Sequence, residues 1–468
     1  MWGSIDSKLL KAMQKGDASS VRSLLSQGAS TSARDDQGFT PLHWAVRRGD
    51  RDLAQFAISI DRAGVNTRTK DGRTALMLAI VSAVGEARHL PVIELLIASG
   101  ADVNAKSSNG ASALMLAVET AAEPQQAGLV KLLIDGGADL NAQNDRGFNA
   151  LMLTVETAGA ECRADLVEVL IAGGINIDAR DVGGSTALMY AVDLGQSQIV
   201  DSLIRHGADV NLRNGDGFTA IRIAATIGNT TIARCLLEGG ADPNVKLADG
   251  TTALMSAVKN QDLPMVELLL GSGADVNAED SEGFTALMAS VGLASTKFKL
   301  LPGGLSLDLD QDLTAAAALA SAELTNRLLT AGADINGKAH RILGTALHIA
   351  VFRNQLAIVS ELLINGANPN AKNSVGESPL WNAVIKAERS DALKLLLGHG
   401  ANPNDRDNRG NSVFLAAVSA GSVEAVERLI ASGADITAVN PDGLTALTLA
   451  ERRKDPMMLQ FIRSHLTH

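Results

Sequence analysis

The chain has 468 residues, 41 Lys and Arg against 52 Asp and Glu, a formal net charge of −11, 3% aromatic residues and two cysteines. A negative excess of that size disfavours the phosphate backbone of a nucleic acid as partner. No apolar run approaches the ~18 residues of a membrane span, and the start, MWGSIDSKLLKAMQKGD, lacks the basic-then-apolar pattern of a secretory signal, so a soluble, cytoplasmic protein without membrane insertion is expected.

From the N-terminus, the segment Ser7 to Ala29 reads as a helix pair with no turn before it, and Lys8, Lys11 and Lys15 keep one face polar. Residues 1–34 are therefore expected to form an N-terminal cap. From residue 35 the chain repeats itself. A turn glycine recurs at Gly38, Gly72, Gly110, Gly147, Gly184, Gly217, Gly250, Gly283, Gly344, Gly376, Gly410 and Gly443, at spacings of 32 to 38 residues apart from one gap of 61.

Shortly after each glycine stands a Thr, Ser or Asn, such as Thr74, Ser112, Asn149 and Thr186. The side-chain oxygen of these residues accepts an orphan backbone N–H in the first turn of a helix. A short apolar helix comes next, Ala187 to Val192 for example, then a tight turn and a second helix such as Ile199 to Ile204. Gly207 sits where a left-handed residue ends that helix. Helices of two or three turns are marginal alone. A period near 33 residues means stacked units that bury their apolar faces on one another. The fold class is an all-α solenoid with hairpin-like loops, expected as one continuous array.

Repeats 35–282 form a first block and 337–440 a second, with 441–468 as the C-terminal cap. The repeats starting at Gly72, Gly110 and Gly147 carry about four extra residues between their helices. The gap between Gly283 and Gly344 admits an inserted loop in one repeat or two repeats of which the first is shortened; residues 283–336 are read as two degenerate repeats, since Lys299-Leu300-Leu301 echoes Lys131-Leu132-Leu133 and Leu324 and Leu328 fall on the positions of Ile199 and Leu203. The stretch from Leu305 to Asp312 lacks a glycine turn and Pro302 would cut a helix short. A discontinuity is expected there. Unfolding followed separately in the two halves should show two transitions, and a single cooperative transition would count against it.

Chemistry is not prominent. Asp308, Asp310 and Asp312 have the alternation of a calcium loop, but Leu313 and Leu319 stand where its glycine and bidentate acid belong. Histidines are scattered singly, no catalytic or metal motif appears, and Cys162 and Cys235 lie two repeats apart, beyond disulfide reach. We expect no enzyme, no metal and no cofactor.

Gly-Phe-Thr-Pro-Leu-His-Trp-Ala from Gly38 to Ala45, with Gly-Ala-Asp-Val-Asn at Gly100 and Gly207, resembles the ankyrin repeat. The resemblance extends over nearly the whole chain and implies about thirteen repeats plus the cap, curved around a concave groove that contacts partner proteins. His43 and His348 are then structural members of the motif. Most other repeats read Thr-Ala-Leu-Met, which exchanges a hydrogen bond for apolar packing.

Carried over position by position, the groove offers Phe39, Phe148, Phe218 and Phe284 just after the turn glycines, either as partner anchors or packed on the next hairpin. At the ends of the first helices stand Arg47 and Arg48, then Glu119, Glu156 and Asp193. These acids recur at 37-residue intervals and should form one row, with each like-charge pair costing only about 0.4 kcal/mol at ~10 Å in water. The resemblance implies a monomeric, non-catalytic scaffold or adaptor that binds a protein, with a basic segment facing the acids. The alternative is a host-directed effector or inhibitor that covers an enzyme's active site.

Overall fold

A computed structural model describes all residues except 1–4, 84–86, 121–125, 158–162, 294–299, 302–303, 306–314, 340–343, 387–388 and 467–468. Each first helix begins where a capping residue takes extended backbone. Thr186 has φ −104° and ψ 167°, and its hydroxyl accepts the Met189 N–H at 3.4 Å; Ser112, Thr252 and Ser412 do the same for the third residue on. These helices are short, seven residues for Ala187–Asp193 and nine for its partner Ser197–Arg205. Gly207, at φ 86°, ends the second helix in the left-handed region.

The chain forms two compact units, residues 1–223 with 238–241, and residues 224–237 with 242–468. The division falls within the repeat that starts at Gly217, inside its first helix Ala220–Ile227. In the first unit, the helix Ala75–Ser82 packs on both its partner Leu90–Ala98 and the next first helix, Ala113–Glu119. Leu76, Met77, Leu114, Met115, Leu151 and Met152 are buried between layers, and Ile93, Leu133 and Leu170 bury the second helices. The second unit repeats the scheme, with Leu347, Leu380 and Phe414 on first helices and Leu362, Leu396 and Leu429 on second helices.

Loops are stitched repeat to repeat. Asn104 donates through Nδ2 to the Gly137 carbonyl at 3.0 Å, and its Oδ1 accepts the Asp139 N–H at 2.7 Å. Asn66, Asn244, Asn370 and Asn404 make the same double bridge to the next repeat. The turns themselves touch. A Cβ built on Gly147 would lie 2.6 Å from the Val182 amide nitrogen of the following hairpin, so only glycine fits.

Residues 283–336 differ from the expected two repeats. The first helix is a three-residue α-turn, Ala286–Met288, running into a π-helical turn, Ala289–Leu293. Leu300–Leu301 pair as a two-residue strand with Gly304–Leu305 instead of continuing a helix, and a single helix spans Ala315–Thr330. Its Leu324 and Leu328 are buried, as their register implied. Asn277 bonds directly to Gly332 and Asp334, at 3.1 and 2.7 Å. The bridge that elsewhere joins consecutive repeats here joins residues 55 and 57 apart, so one helix pair occupies the stretch, with 294–314 between its members. The physical reason is that the second-helix place is already filled by Ala315–Thr330, whose Thr325 hydroxyl meets Ser290 at 2.9 Å. Asp308, Asp310, Asp312 and Leu313 lie outside the described residues, as does Cys162.

His43 and His348 are fully buried. Nδ1 of His43 accepts the Thr40 N–H at 3.0 Å, and Nε2 faces the Thr67 carbonyl of the next repeat at 3.1 Å, which assigns the proton to Nε2. His348 repeats this with Thr345 and the Glu377 carbonyl. In the third repeat the Met115 sulfur receives the Ser112 N–H instead, at 3.4 Å.

Burial holds both imidazoles at a pKa of about 4, below the ordinary 6.5. Protonation would also remove the acceptor for the Thr N–H. Because the folded value is depressed, their neutral form supports the fold fully above pH 6.5, and that support is lost as pH falls towards 4. Each histidine carries on the order of 3 kcal/mol across that window. Urea unfolding of the parent should weaken more between pH 7 and pH 4 than that of the double variant His43→Met, His348→Met; equal slopes would refute the assignment. Asn277→Ala should cost about 1–2 kcal/mol, read as a lower urea midpoint at pH 7.

Candidate protein-binding face

The candidate face is built in the first unit, on the position six residues after the turn glycine. Leu78, Leu116 and Leu153 occupy it in successive repeats and are buried, whereas Trp44 and Tyr190 occupy it on either side of them and are half-buried. Both aromatic groups are tied to the aspartate that opens their own hairpin. Trp44 Nε1 donates to Asp35 Oδ2 at 3.1 Å, and the Tyr190 hydroxyl donates to Asp181 Oδ2 at 2.6 Å. Burial and the Asp181 carboxylate push the Tyr190 ionisation up, so the phenol stays a donor.

Charged groups lie over these rings. The Arg47 guanidinium carbon is 5.3 Å from the Trp44 ring centre and 5.8 Å from that of Phe39. Arg146 lies 3.9 Å over Phe148 and holds Glu156 with two bonds, at 3.0 and 2.5 Å. Phe148 in turn packs against Tyr190 at 5.1 Å between centres. Partial desolvation raises the Glu119 pKa first and the Glu156 carboxylate second, with Arg146 and Arg73 opposing. The hydrogen bonds that Arg146 donates to Glu156 make it hold its proton more tightly. Arg73, Glu119, Arg146, Glu156 and Tyr190 thus form one electrostatically coupled run across four repeats.

The sequence-derived residues divide accordingly. Glu119 and Glu156 come together, as the 37-residue interval implied, but Glu156 is neutralised by Arg146. Asp193 is exposed at the same position one repeat on. Phe39 and Phe148 are not presented to a partner: both are buried, because the hairpin folds each ring under Trp44 or Tyr190. Phe218 is half-buried in the first unit, and Phe284, also half-buried, belongs to the second unit.

Arg47 lies on the aromatic pair, but Arg48 points elsewhere. Its Nη1 donates to the Gln14 carbonyl at 3.1 Å, at the C-terminal end of the helix Ile5–Lys15, and so clamps the cap. Trp44, Arg73, Arg146 and Tyr190 are not singled out by motif or spacing. A signal for two of them is present all the same: an aromatic residue in register with a column of leucines, one of them the sole tyrosine.

Partly desolvated charges of both signs beside aromatic planes are the chemistry of protein recognition. Among the described residues no group of three or more His, Cys, Asp or Glu side chains is placed to hold a metal ion, and no helix is long and apolar enough to cross a membrane.

Comparison with known proteins matches the family described as ankyrin repeats (3 copies) at residues 9–107, 114–214, 198–280, 221–301, 313–407 and 385–465. Among individual proteins, the chain is 43% identical over 75 residues to a mouse (Mus musculus) 2-5A-dependent ribonuclease, covering 16% of this chain and 10% of that protein. It is 33% identical over 128 residues to human (Homo sapiens) ankyrin repeat and SOCS box protein 6, covering 26% and 30%. It is 31% identical over 101 residues to 26S proteasome non-ATPase regulatory subunit 10 of Dictyostelium discoideum, covering 21% and 41%. The chain matches between a tenth and about two fifths of the length of these relatives. With family matches running from residue 9 to residue 465 and paired helices stacked layer on layer, the chain belongs to the ankyrin repeat family.

Proposed function

We propose that the first unit is a non-catalytic protein-binding module whose coupled face receives a basic segment of a partner protein. Ankyrin repeat proteins generally mediate protein–protein interactions. The observation that carries the finer reading is the state of Glu119. Its carboxylate is partly desolvated and close enough to Glu156 to feel its charge, yet it has no ion pair within 4 Å among the described residues. A cation arriving beside it supplies the attraction that offsets both effects, which is how a charge without a counter-ion gains from an interface.

Asp193 extends the acidic row by one repeat, and Arg47 over Trp44 and Phe39 supplies an aromatic–cation platform at the other end. The relatives support a recognition role, since what they share with this chain is a repeat segment and not the remainder of each protein. The 75 residues shared with the ribonuclease are a tenth of it. A cytoplasmic scaffold or adaptor is the whole-protein role we infer.

Proximity labelling in the native cell identifies the partner, and titration with the purified partner then tests the face. Charge reversal of Glu119, Glu156 and Asp193 together should weaken binding by about tenfold or more and flatten its salt dependence. Unchanged affinity would remove these acids from the site. Adding the chain to the partner's own activity assay separates a scaffold, which leaves that activity intact, from an inhibitor that covers an active site.

A further inference from the structure

The hairpins of the first unit carry a second charged line, two residues past the position that Asn66, Asn104 and Asn141 occupy and that Ser32 and Asp178 fill in the other two repeats. Arg34 Nη1 donates to the Arg68 carbonyl at 2.8 Å, Arg68 Nη1 to the Lys106 carbonyl at 2.9 Å, and Lys106 Nζ to the Gln143 carbonyl at 2.9 Å. Gln143 Nε2 donates to the Arg180 carbonyl at 2.8 Å, and Arg180 to the Arg213 carbonyl. Every side chain is thereby laid towards the next hairpin and held there, although all are exposed. Arg34, Arg68, Lys106 and Arg180 have no carboxylate within 4 Å among the described residues. Acids near them in sequence are engaged elsewhere: Asp35 accepts the Phe39 N–H at 2.9 Å, Asp181 the Ser185 N–H at 2.7 Å and Asp102 the Asn104 N–H at 3.0 Å, and Asp71 pairs with Arg73 at 3.1 Å.

Stitching the hairpins together does not require charge. Gln143 makes the same carbonyl bond with a neutral amide, so the cations at four of the five positions are left with a second property that the ladder does not use. A guanidinium has five N–H donors and each carbonyl bond engages one. The side chains are also preordered, which removes much of the entropy cost of gripping an anion.

We propose that this line binds an acidic polypeptide segment lying extended along the hairpin edge. Helix layers are spaced at about 10 Å and an extended chain advances about 3.3 Å per residue, so one carboxylate every third residue matches one cation per repeat. The step at Gln143 is a gap in that match. A polynucleotide carries its charge far more densely than one anion per repeat.

The test uses the full chain and a fluorescein-labelled peptide of about 15 residues with glutamate at every third position, spanning about five repeats. Anisotropy should show saturable binding at about 50 mM salt that weakens about tenfold or more by about 200 mM. Substituting Arg34, Arg68, Lys106 and Arg180 together by Gln, which keeps the ladder bond, should weaken binding about tenfold or more. The variant carrying Lys at positions of Glu119, Glu156 and Asp193 should keep it. If the fourfold variant melts below the parent, Arg68→Gln with Lys106→Gln should still weaken binding about threefold. Equal affinity of the Gln variants and the parent overturns the proposal, as does the absence of saturable binding. Displacement of the peptide by oligothymidylate of equal length at equal or lower concentration would overturn it too.

Discussion

A helix of seven to nine residues does not hold itself together in water, and that constraint governs this molecule. Nucleating a helix fixes several residues before one hydrogen bond forms, so each helix here persists because neighbouring layers cover it. Three kinds of contact do the covering. Apolar residues such as Leu114, Met115 and Ile93 are buried between layers; asparagines bridge one loop to the next; and long polar side chains on the hairpins reach the next carbonyl. All act on the nearest neighbour, so the array is as strong as its successive interfaces.

The insertion between Gly283 and Gly344 shows how firmly those contacts are imposed. The first-helix position ends in the turn Ala289–Leu293, and Ala315–Thr330 takes the second-helix position. The Asn277 bridge is then made at its usual distances across a gap of more than fifty residues. The local adjustment is the π-helical turn Ala289–Leu293, a form that often absorbs an irregular length. Ser290 with Thr325 and Gln261 with Ser321 close hydrogen bonds across this junction.

The proposed recognition face lies on what the stack leaves over. Inward positions are committed to packing, so variation accumulates at helix ends and hairpins, where charges of both signs sit beside aromatic rings. The coupling of Glu119, Arg146, Glu156 and Tyr190 makes this more than a collection of exposed groups. The pKa of Glu119 is raised by its own desolvation and then by the Glu156 carboxylate one repeat away, with Arg146 opposing.

Sequence by itself determined the repeat, its period, the capping residues and the left-handed glycines, because each obeys a local rule: a hydroxyl before a helix, a glycine after it, an apolar face every three to four residues. It also placed Leu324 and Leu328 in the core and Glu119 beside Glu156, since spacing in a regular array translates directly into stacking. Tertiary structure alone decided which charges are neutralised and which rings are hidden. That Arg146 turns onto Phe148 and Glu156, that Arg48 clamps Gln14, and that residues 283–336 supply one helix pair instead of two depend on distances between different repeats. Period and composition carry no information about those distances, because side-chain direction is settled only when the neighbouring layer is in place.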